Sequence, residues 1–195
     1  MKKLALIAMT AAAAFAAPAM AQTTTGTINI TGSVAAKCMV VSGTSTSSTF
    51  GTTVPMGELA QADGTLKPSA TLSSTFGSVG GAGLSAHVVC TSPDATVTVD
   101  ADPLVSPSGA GAPTGYSNTI NYSADVTFTK TTGSLALSND STAASQSSSA
   151  LGGRLAASGT NVSVATSNWR TPNTGDLLTS GTDYSGKIVV TVSPL

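Results

Sequence analysis

Apolar and polar positions alternate along residues 26–34, and this is the clearest pattern near the start of the chain. One face of the stretch carries Gly26, Ile28, Ile30, Gly32 and Val34, while the other carries threonine, asparagine and serine. Successive side chains of a β-strand point to opposite faces, so a period of two indicates a strand with one face to bury. Two interpretations stay open: the strand completes the sandwich of its own domain, or it is buried in a neighbouring molecule.

Similar alternation recurs along the rest of the chain and predicts further short strands. The strongest is residues 184–192, where Tyr184, Ile188, Val190 and Val192 share one face. Strands at 84–91 and 95–101 are predicted to pair as a hairpin. Other strands are predicted at 37–41, 66–76, 118–130, 135–137 and 161–166.

The segments between these strands are rich in turn-forming residues. Residues 102–115 contain three prolines and three glycines and are predicted to be a surface loop, and Trp169 is predicted to lie in a loop near Pro172. After the first residues of the chain we find no ten-residue stretch with helical periodicity and helix caps, so no helix is predicted. The pattern favours an all-β fold, with an immunoglobulin-like antiparallel sandwich as first choice and a jelly roll or small barrel as second.

The first residues predict export. Lys2 and Lys3 precede an apolar run over residues 4–17, and Ala19-Met20-Ala21 is a small-x-small cleavage site, so residues 1–21 are predicted to be a Sec-type signal peptide. A membrane anchor is the alternative, but the run is shorter than the ~20 residues that a span needs. We therefore expect a protein of the periplasm, the cell surface or the medium that begins at Gln22.

Charge and composition exclude some classes of partner. Charged residues make up 9% of the chain, and loss of the two signal lysines would leave six basic and nine acidic side chains. Without a basic patch, nucleic acid and anionic membrane surfaces are not expected as partners. Abundant serine, threonine and glycine suit extracellular β-structure, where hydroxyl residues tolerate extended backbone and glycine forms turns.

The chain has two cysteines, Cys38 and Cys90. In an oxidising compartment an even pair is most simply a disulfide. Closing a loop of about fifty residues would stabilise the fold by roughly 4 kcal/mol. A metal or redox site would need further ligands or a CxxC spacing, which the chain lacks.

Taken together, several features resemble the subunits of Gram-negative chaperone–usher pili, closest to the type 1 fimbrial and spore-coat-U-like (archaic) branches. They are the signal peptide, the alternating stretch at 26–34, Cys38 just behind it, Cys90 at the end of a Val-Val-Cys strand, and the terminal Asp-Tyr-x-Gly-x-Ile-x-Val-x-Val sequence. The resemblance runs over most of the chain after residue 21, although no single element is specific to the family.

The resemblance implies an incomplete, pilin-type sandwich at residues 34–195 and an N-terminal donor-strand extension at residues 22–33. In that family a missing strand leaves an apolar groove, which a periplasmic chaperone fills until the extension of the next subunit replaces it during assembly at an outer-membrane usher. Gly26, Ile28, Ile30 and Gly32 would then be the inserted donor residues. One groove wall would carry Tyr184, Ile188, Val190 and Val192.

The expected function is therefore a structural subunit of a surface fibre that serves adhesion or biofilm formation, with neighbouring subunits as partners and no cofactor. One feature departs from the family: its subunits commonly end near an aromatic residue used in chaperone docking, whereas this chain ends Val192-Ser193-Pro194-Leu195.

Catalytic groups are sparse, so we do not expect an enzyme. His87 is the single histidine, Ser85 near it has no nucleophile-elbow sequence, and Glu58 is the single glutamate. Asp100 and Asp102 share strand parity and could supply half of a calcium site, but solvated residues at a strand end are the simpler interpretation.

A monomeric secreted adhesin or carbohydrate-binding module is the alternative function. Trp169, Tyr116 and Tyr122 could stack on sugar rings if they are exposed. Aromatic residues make up only 4% of the chain, however, and a lone tryptophan is more often a core plug or loop anchor.

Overall fold

The structure is a computed structural model that describes residues 27–195. The predicted signal peptide and Gly26 lie outside the described residues. The chain divides into two units between Ser33 and Val34. Residues 27–33 of the first unit have no secondary structure, and every element named below belongs to the second unit.

Twelve strands and one α-helix make up the described part of the second unit. The helix, α1, is Ser69–Gly80, and short 3₁₀ turns occupy Gly81–Leu84 and Pro107–Gly109. The strands are β1 (Cys38–Ser42), β2 (Ser45–Ser47), β3 (Ser85–Ala86), β4 (Val88–Cys90), β5 (Ala95–Val105), β6 (Tyr116–Ser117), β7 (Thr119–Thr129), β8 (Ser134–Asp140), β9 (Ser147–Ala150), β10 (Val162–Arg170), β11 (Leu177–Leu178) and β12 (Ser185–Pro194).

The strands form antiparallel sheets in a sandwich-like arrangement, as the sequence predicts. The largest sheet has the order β12-β5-β7-β10-β3, with β9 paired to β5 and β8 paired to β7. A smaller sheet has the order β2-β1-β4. The short strands β6 and β11 pair in parallel.

The core lies between these sheets and consists of the inward residues of the long strands. In β5 every second residue from Ala95 to Ala101 is buried, and in β7 the same holds from Ile120 to Phe128. This is the period of two expected where a strand has one face on a core and one on solvent. The two strands thus supply the centre of one continuous apolar cluster.

The helix α1 corrects two predictions: a strand at 66–76, and the absence of helices. Leu72 and Phe76 are buried and lie four residues apart, which places them on one helix face against β10. Pro68 precedes the helix, and Gly81 ends it with a φ of 50°, a conformation that glycine adopts at little cost. The hydroxyl side chains between the two apolar residues stay at the surface or half-buried.

The predicted hairpin of residues 84–91 and 95–101 is also wrong. β4 pairs with β1 in one sheet, whereas β5 pairs with β12, β9 and β7 in another. The turn after Cys90 therefore carries the chain from one sheet to the other instead of folding it back. Two loop predictions need similar correction, because β5 continues to Val105 and Trp169 lies within β10.

Within residues 27–195 no helix has the length and apolar character needed to span a bilayer.

Candidate functional site

The second unit contains an open groove of about 1430 Å³. Its sides are β12, part of β1 and the irregular segment 48–60, and its floor includes Tyr122, Val164 and Trp169. Pockets for small molecules usually measure about 300–1,000 Å³, so this groove has room for a larger occupant such as a peptide segment.

The first wall is β12. Ile188, Val190 and Val192 are half-buried, line the groove and pack against the core, and Val189, which alternates with them, is 42% exposed and also borders the groove. β12 pairs only with β5 among the described strands, so its other edge has backbone donors and acceptors without strand partners. Such an edge is a template for a further strand.

Residues 50–58 form another part of the groove lining. In the described part of the chain, these residues make no backbone–backbone hydrogen bond. Phe50, Val54 and Met56 are nevertheless half-buried and pack against the core. Most of the other residues in this segment are exposed, so water can pair their backbone groups. Two stretches whose backbone groups have no partner strand among the described residues therefore border the same groove.

An aromatic pair forms part of the groove floor. The rings of Tyr122 and Trp169 stack with centroids 4.7 Å apart. Tyr122 Oη lies 2.9 Å from the carbonyl oxygen of Asp102 and 3.1 Å from that of Lys187, and its single hydrogen is donated to one of them or shared between them, next to the pairing of β5 with β12. Burial, and secondly the charge of Asp102, raise the pKa of Tyr122 above its usual value. Trp169 is 6% exposed, so neither ring offers a free face for a sugar.

Among the residues that line the groove, Tyr184 is fixed by hydrogen bonds of its hydroxyl group. Its Oη lies 3.0 Å from the carbonyl oxygen of Thr179 and 3.3 Å from that of Ser117, and its single hydrogen is donated to one of them or shared between them. The carboxylate of the preceding residue, Asp183, accepts hydrogen bonds from Ser106 and Ser108. These bonds lower the pKa of Asp183 below its usual value. The start of β12 is therefore fixed by neighbours far away in the sequence.

The disulfide between Cys38 and Cys90 is formed, with an S–S distance of 2.06 Å, which confirms the prediction. It joins β1 to β4, where the two cysteines face each other in register. Next to it, Thr91 Oγ1 accepts from the Lys37 backbone N–H and donates to the carbonyl oxygen of Ala35, both at 2.9 Å. The chain is thus anchored immediately before β1.

The predicted donor residues lie in the other unit. Ile28 and Ile30 are 89% and 93% exposed, and a Cβ added to Gly32 would meet nothing within 4 Å. Residues 27–33 form no strand in the described structure. Exposed isoleucines at alternate positions in an unpaired segment are unusual, because large apolar side chains normally gain from burial.

The groups considered for catalysis or metal binding are not assembled into a site. Ser85 Oγ donates to the carbonyl oxygen of Ala82, and His87 Nε2 is buried without a hydrogen-bond partner among the described residues. The Glu58 carboxylate accepts from the backbone N–H of Ala60. Asp102 forms an exposed ion pair with Lys187 at 3.3 Å. Residues 27–195 contain no cluster of three or more His, Cys, Asp or Glu side chains suited to a metal.

Sequence reasoning placed Tyr184, Ile188, Val190 and Val192 on one face of a strand, and it did not point to the segment 50–58 or to the hydrogen bonds of Asp183. Tyr184, Ile188, Val190 and Val192 all line the groove. The sequence feature that could have pointed to the segment 50–58 is the alternation of Val54 and Met56 around Pro55. The partners of Asp183 are more than seventy residues away, so no local pattern points to them.

Comparisons of this chain with protein-family models, with curated proteins and with solved structures give no significant match.

Proposed function

We propose that this protein is a structural subunit of a surface fibre, in which residues 22–33 of one copy fill the groove of the next copy. The observation that carries the proposal is the groove itself, which is apolar and bordered by β12 with its unpaired edge. An inserted strand would supply both missing elements, the backbone hydrogen bonds and the apolar side chains.

The N-terminal segment has the properties required of the inserted strand. Its alternate isoleucines are exposed in the described structure, and they share parity with Gly26 and Gly32. Burying two isoleucine side chains would contribute roughly 3–6 kcal/mol before the entropic cost of ordering the segment. The donor is a second copy of this chain, so the product is a homopolymer used for adhesion or biofilm formation.

The remaining parts of the proposal rest on the resemblance to chaperone–usher subunits. An exported subunit with an open groove needs protection from aggregation, which a periplasmic chaperone would provide before assembly at an outer-membrane usher. No cofactor and no catalytic step are part of the proposal.

Polymer formation tests the proposal with a matched pair of variants. The chain from Gln22 should form a ladder of polymers that withstands detergent without heating, because dissociation requires extraction of a buried strand. Ile28→Asp with Ile30→Asp should abolish the ladder, since a charge cannot be buried unpaired in an apolar groove. Thr27→Asp with Thr31→Asp places the same charges on the opposite face and should preserve it.

Two outcomes would contradict the proposal. One is a wild-type chain that runs as a monomer without heating under conditions where it is folded, which would favour the secreted adhesin or carbohydrate-binding module. The other is equal loss of polymers in both double variants, because the alternation of the segment would then be irrelevant.

A further inference from the structure

The loop between β11 and β12 is tied to the rest of the domain by one carboxylate. Asp183 accepts a hydrogen bond from Ser106 Oγ, another from Ser108 Oγ at 2.9 Å, and a third from the backbone N–H of Ser108 at 3.1 Å. Ser106 and Ser108 lie at the turn that follows β5. The carboxylate therefore joins the end of β5 to the start of its partner β12.

Gly181 and Gly186, on either side of Asp183, are closely approached by neighbouring atoms, although residues 180–183 are exposed. A Cβ on Gly181 would lie 2.5 Å from Ser106 Oγ, and one on Gly186 would lie 2.8 Å from the carbonyl oxygen of Pro103. The contact at Gly186 is with backbone, so it cannot be relieved by a side-chain rotation. The register of β12 against β5 also shifts between Ser185 and Lys187.

Asp183 stands beside the groove without lining it. Its neighbours Thr182 and Tyr184 do line the groove, and Ile188 lines it further along the same wall. The side chain of Asp183 is instead engaged with Ser106 and Ser108 on the outside. It can influence an occupant only through the position of β12.

We infer that Asp183 is a positioning residue for the groove, which holds the start of β12 in place before an inserted strand arrives. As an account of strand insertion, this inference rests on the proposed function. A wall that is already fixed does not have to be ordered during binding, and such preorganisation increases affinity by reducing the entropic cost. Loss of the Asp183 hydrogen bonds should therefore loosen the wall and weaken insertion, although no contact with the occupant changes.

Asp125 provides a matched control elsewhere in the domain. Its carboxylate also accepts from two serine hydroxyls, Ser138 Oγ and Ser167 Oγ, each at 2.6 Å. It lies on β7 and does not line the groove. Asp125→Asn and Asp183→Asn thus remove the same charge from the same kind of hydrogen-bond cluster, and they differ in their relation to β12.

The experiment uses the chain from Gln22 with Ile28→Asp and Ile30→Asp, so that its own segment cannot insert. The probe is a synthetic peptide with the sequence of residues 22–33. Asp183→Asn should raise amide hydrogen exchange at residues 184–190 in the absence of peptide. It should also weaken peptide binding about tenfold, which corresponds to the entropic cost of ordering roughly one residue of the wall during binding. Ser108→Ala should act in the same direction, and Asp125→Asn should leave both quantities unchanged.

The two readouts separate this inference from the proposed function. Unchanged exchange and affinity in Asp183→Asn, or equal changes in Asp125→Asn, would overturn the positioning role even where the peptide binds the parent chain. Failure of the peptide to bind the parent chain would overturn the proposed function. In that case, faster exchange at residues 184–190 in Asp183→Asn but not in Asp125→Asn would still show that Asp183 holds β12 in place. Unchanged exchange in Asp183→Asn would overturn the positioning role as well.

Discussion

β7 and β12 have the same alternating pattern of apolar residues, but they have different neighbours in the fold. β7 has β8 on one side and β10 on the other, and its inward residues Val126 and Phe128 are 1% and 0% exposed. β12 has β5 on one side and no strand on the other within the described residues, and its inward residues are only half-buried. The comparison teaches that the core is complete around β7 and incomplete around β12.

The largest effect should come from truncation on the complete side. Phe128→Ala should lower the free energy of unfolding by about 3–5 kcal/mol, because it leaves a cavity in a closed core. Val190→Ala on the open side should cost less than about 1.5 kcal/mol in the monomer, since its side chain is already partly hydrated. Denaturant titration of both variants measures the difference. Equal losses would mean that the groove is as well packed as the rest of the core.

Removal of the disulfide should have the next largest effect. Cys38→Ala with Cys90→Ala should destabilise the monomer by about 2–4 kcal/mol, because the bond closes a long loop in the unfolded chain. The bridged residues are 52 positions apart, and β1 pairs with β4 over three residues. Thermal unfolding of the double variant gives the value. A loss below about 0.5 kcal/mol would show that the β1–β4 pairing is stable without the bond.

A charge on either face of β12 sharpens the comparison further. Val190→Asp should weaken binding of a peptide of residues 22–33 by at least tenfold, because the carboxylate would be desolvated in the filled groove. Ser193→Asp places the same charge on the outward face of β12, at an exposed residue that does not line the groove, and should change the binding less than threefold. Calorimetric titration of both variants decides the matter. Equal weakening would place the occupant outside the groove.

The smallest effect concerns the ion pair of Arg170 and Asp140, on the complete side of the domain. Arg170 Nη2 donates to both carboxylate oxygens, at 2.8 and 2.9 Å, and this hydrogen bonding lowers the pKa of Asp140 well below its usual value. Both side chains are about one-third exposed, so the pair contributes no more than about 1 kcal/mol.

The sign of its pH dependence follows from the lowered pKa. The stabilisation is fully present above the ordinary aspartate pKa of about 3.9 and is lost as the pH falls towards the lower folded-state pKa. The difference in unfolding free energy between wild type and Asp140→Asn should therefore be largest near pH 7 and shrink below about pH 4. A difference that grows in acid would contradict this account.

Alternation along the chain predicted the long strands well, because burial of one face is a local property of the sequence. It predicted partners poorly: β4 and β5 are adjacent in sequence, yet they join different sheets. The helix α1 was not predicted, because a separation of four residues, as between Leu72 and Phe76, fits both the period of two of a strand and one turn of a helix. Pro68 before it and Gly81 after it were the signals that favour a helix.

Part of the candidate site was predictable, because alternation along a strand is a local property of the sequence. The wall residues of β12 follow from parity, whereas the free backbone of residues 50–58 and the serine partners of Asp183 depend on the tertiary arrangement. Whether residues 22–33 are donated to another copy stays a prediction. Alternation shows that a strand has a face to bury, and it contains no information on which molecule buries it.

The central claim is that the free edge of β12 accepts a strand, and amide hydrogen exchange tests it most directly. In an antiparallel pair, alternate backbone amides point away from the partner strand, so about half of those in β12 have no bond to β5. The parent chain is again the one with Ile28→Asp and Ile30→Asp, and the added peptide has the sequence of residues 22–33.

The account predicts that the peptide slows exchange at these alternate β12 amides at least tenfold, together with amides in residues 50–58. Peptide binding that leaves exchange in β12 unchanged would contradict it, because the occupant would then not be a strand paired to that edge.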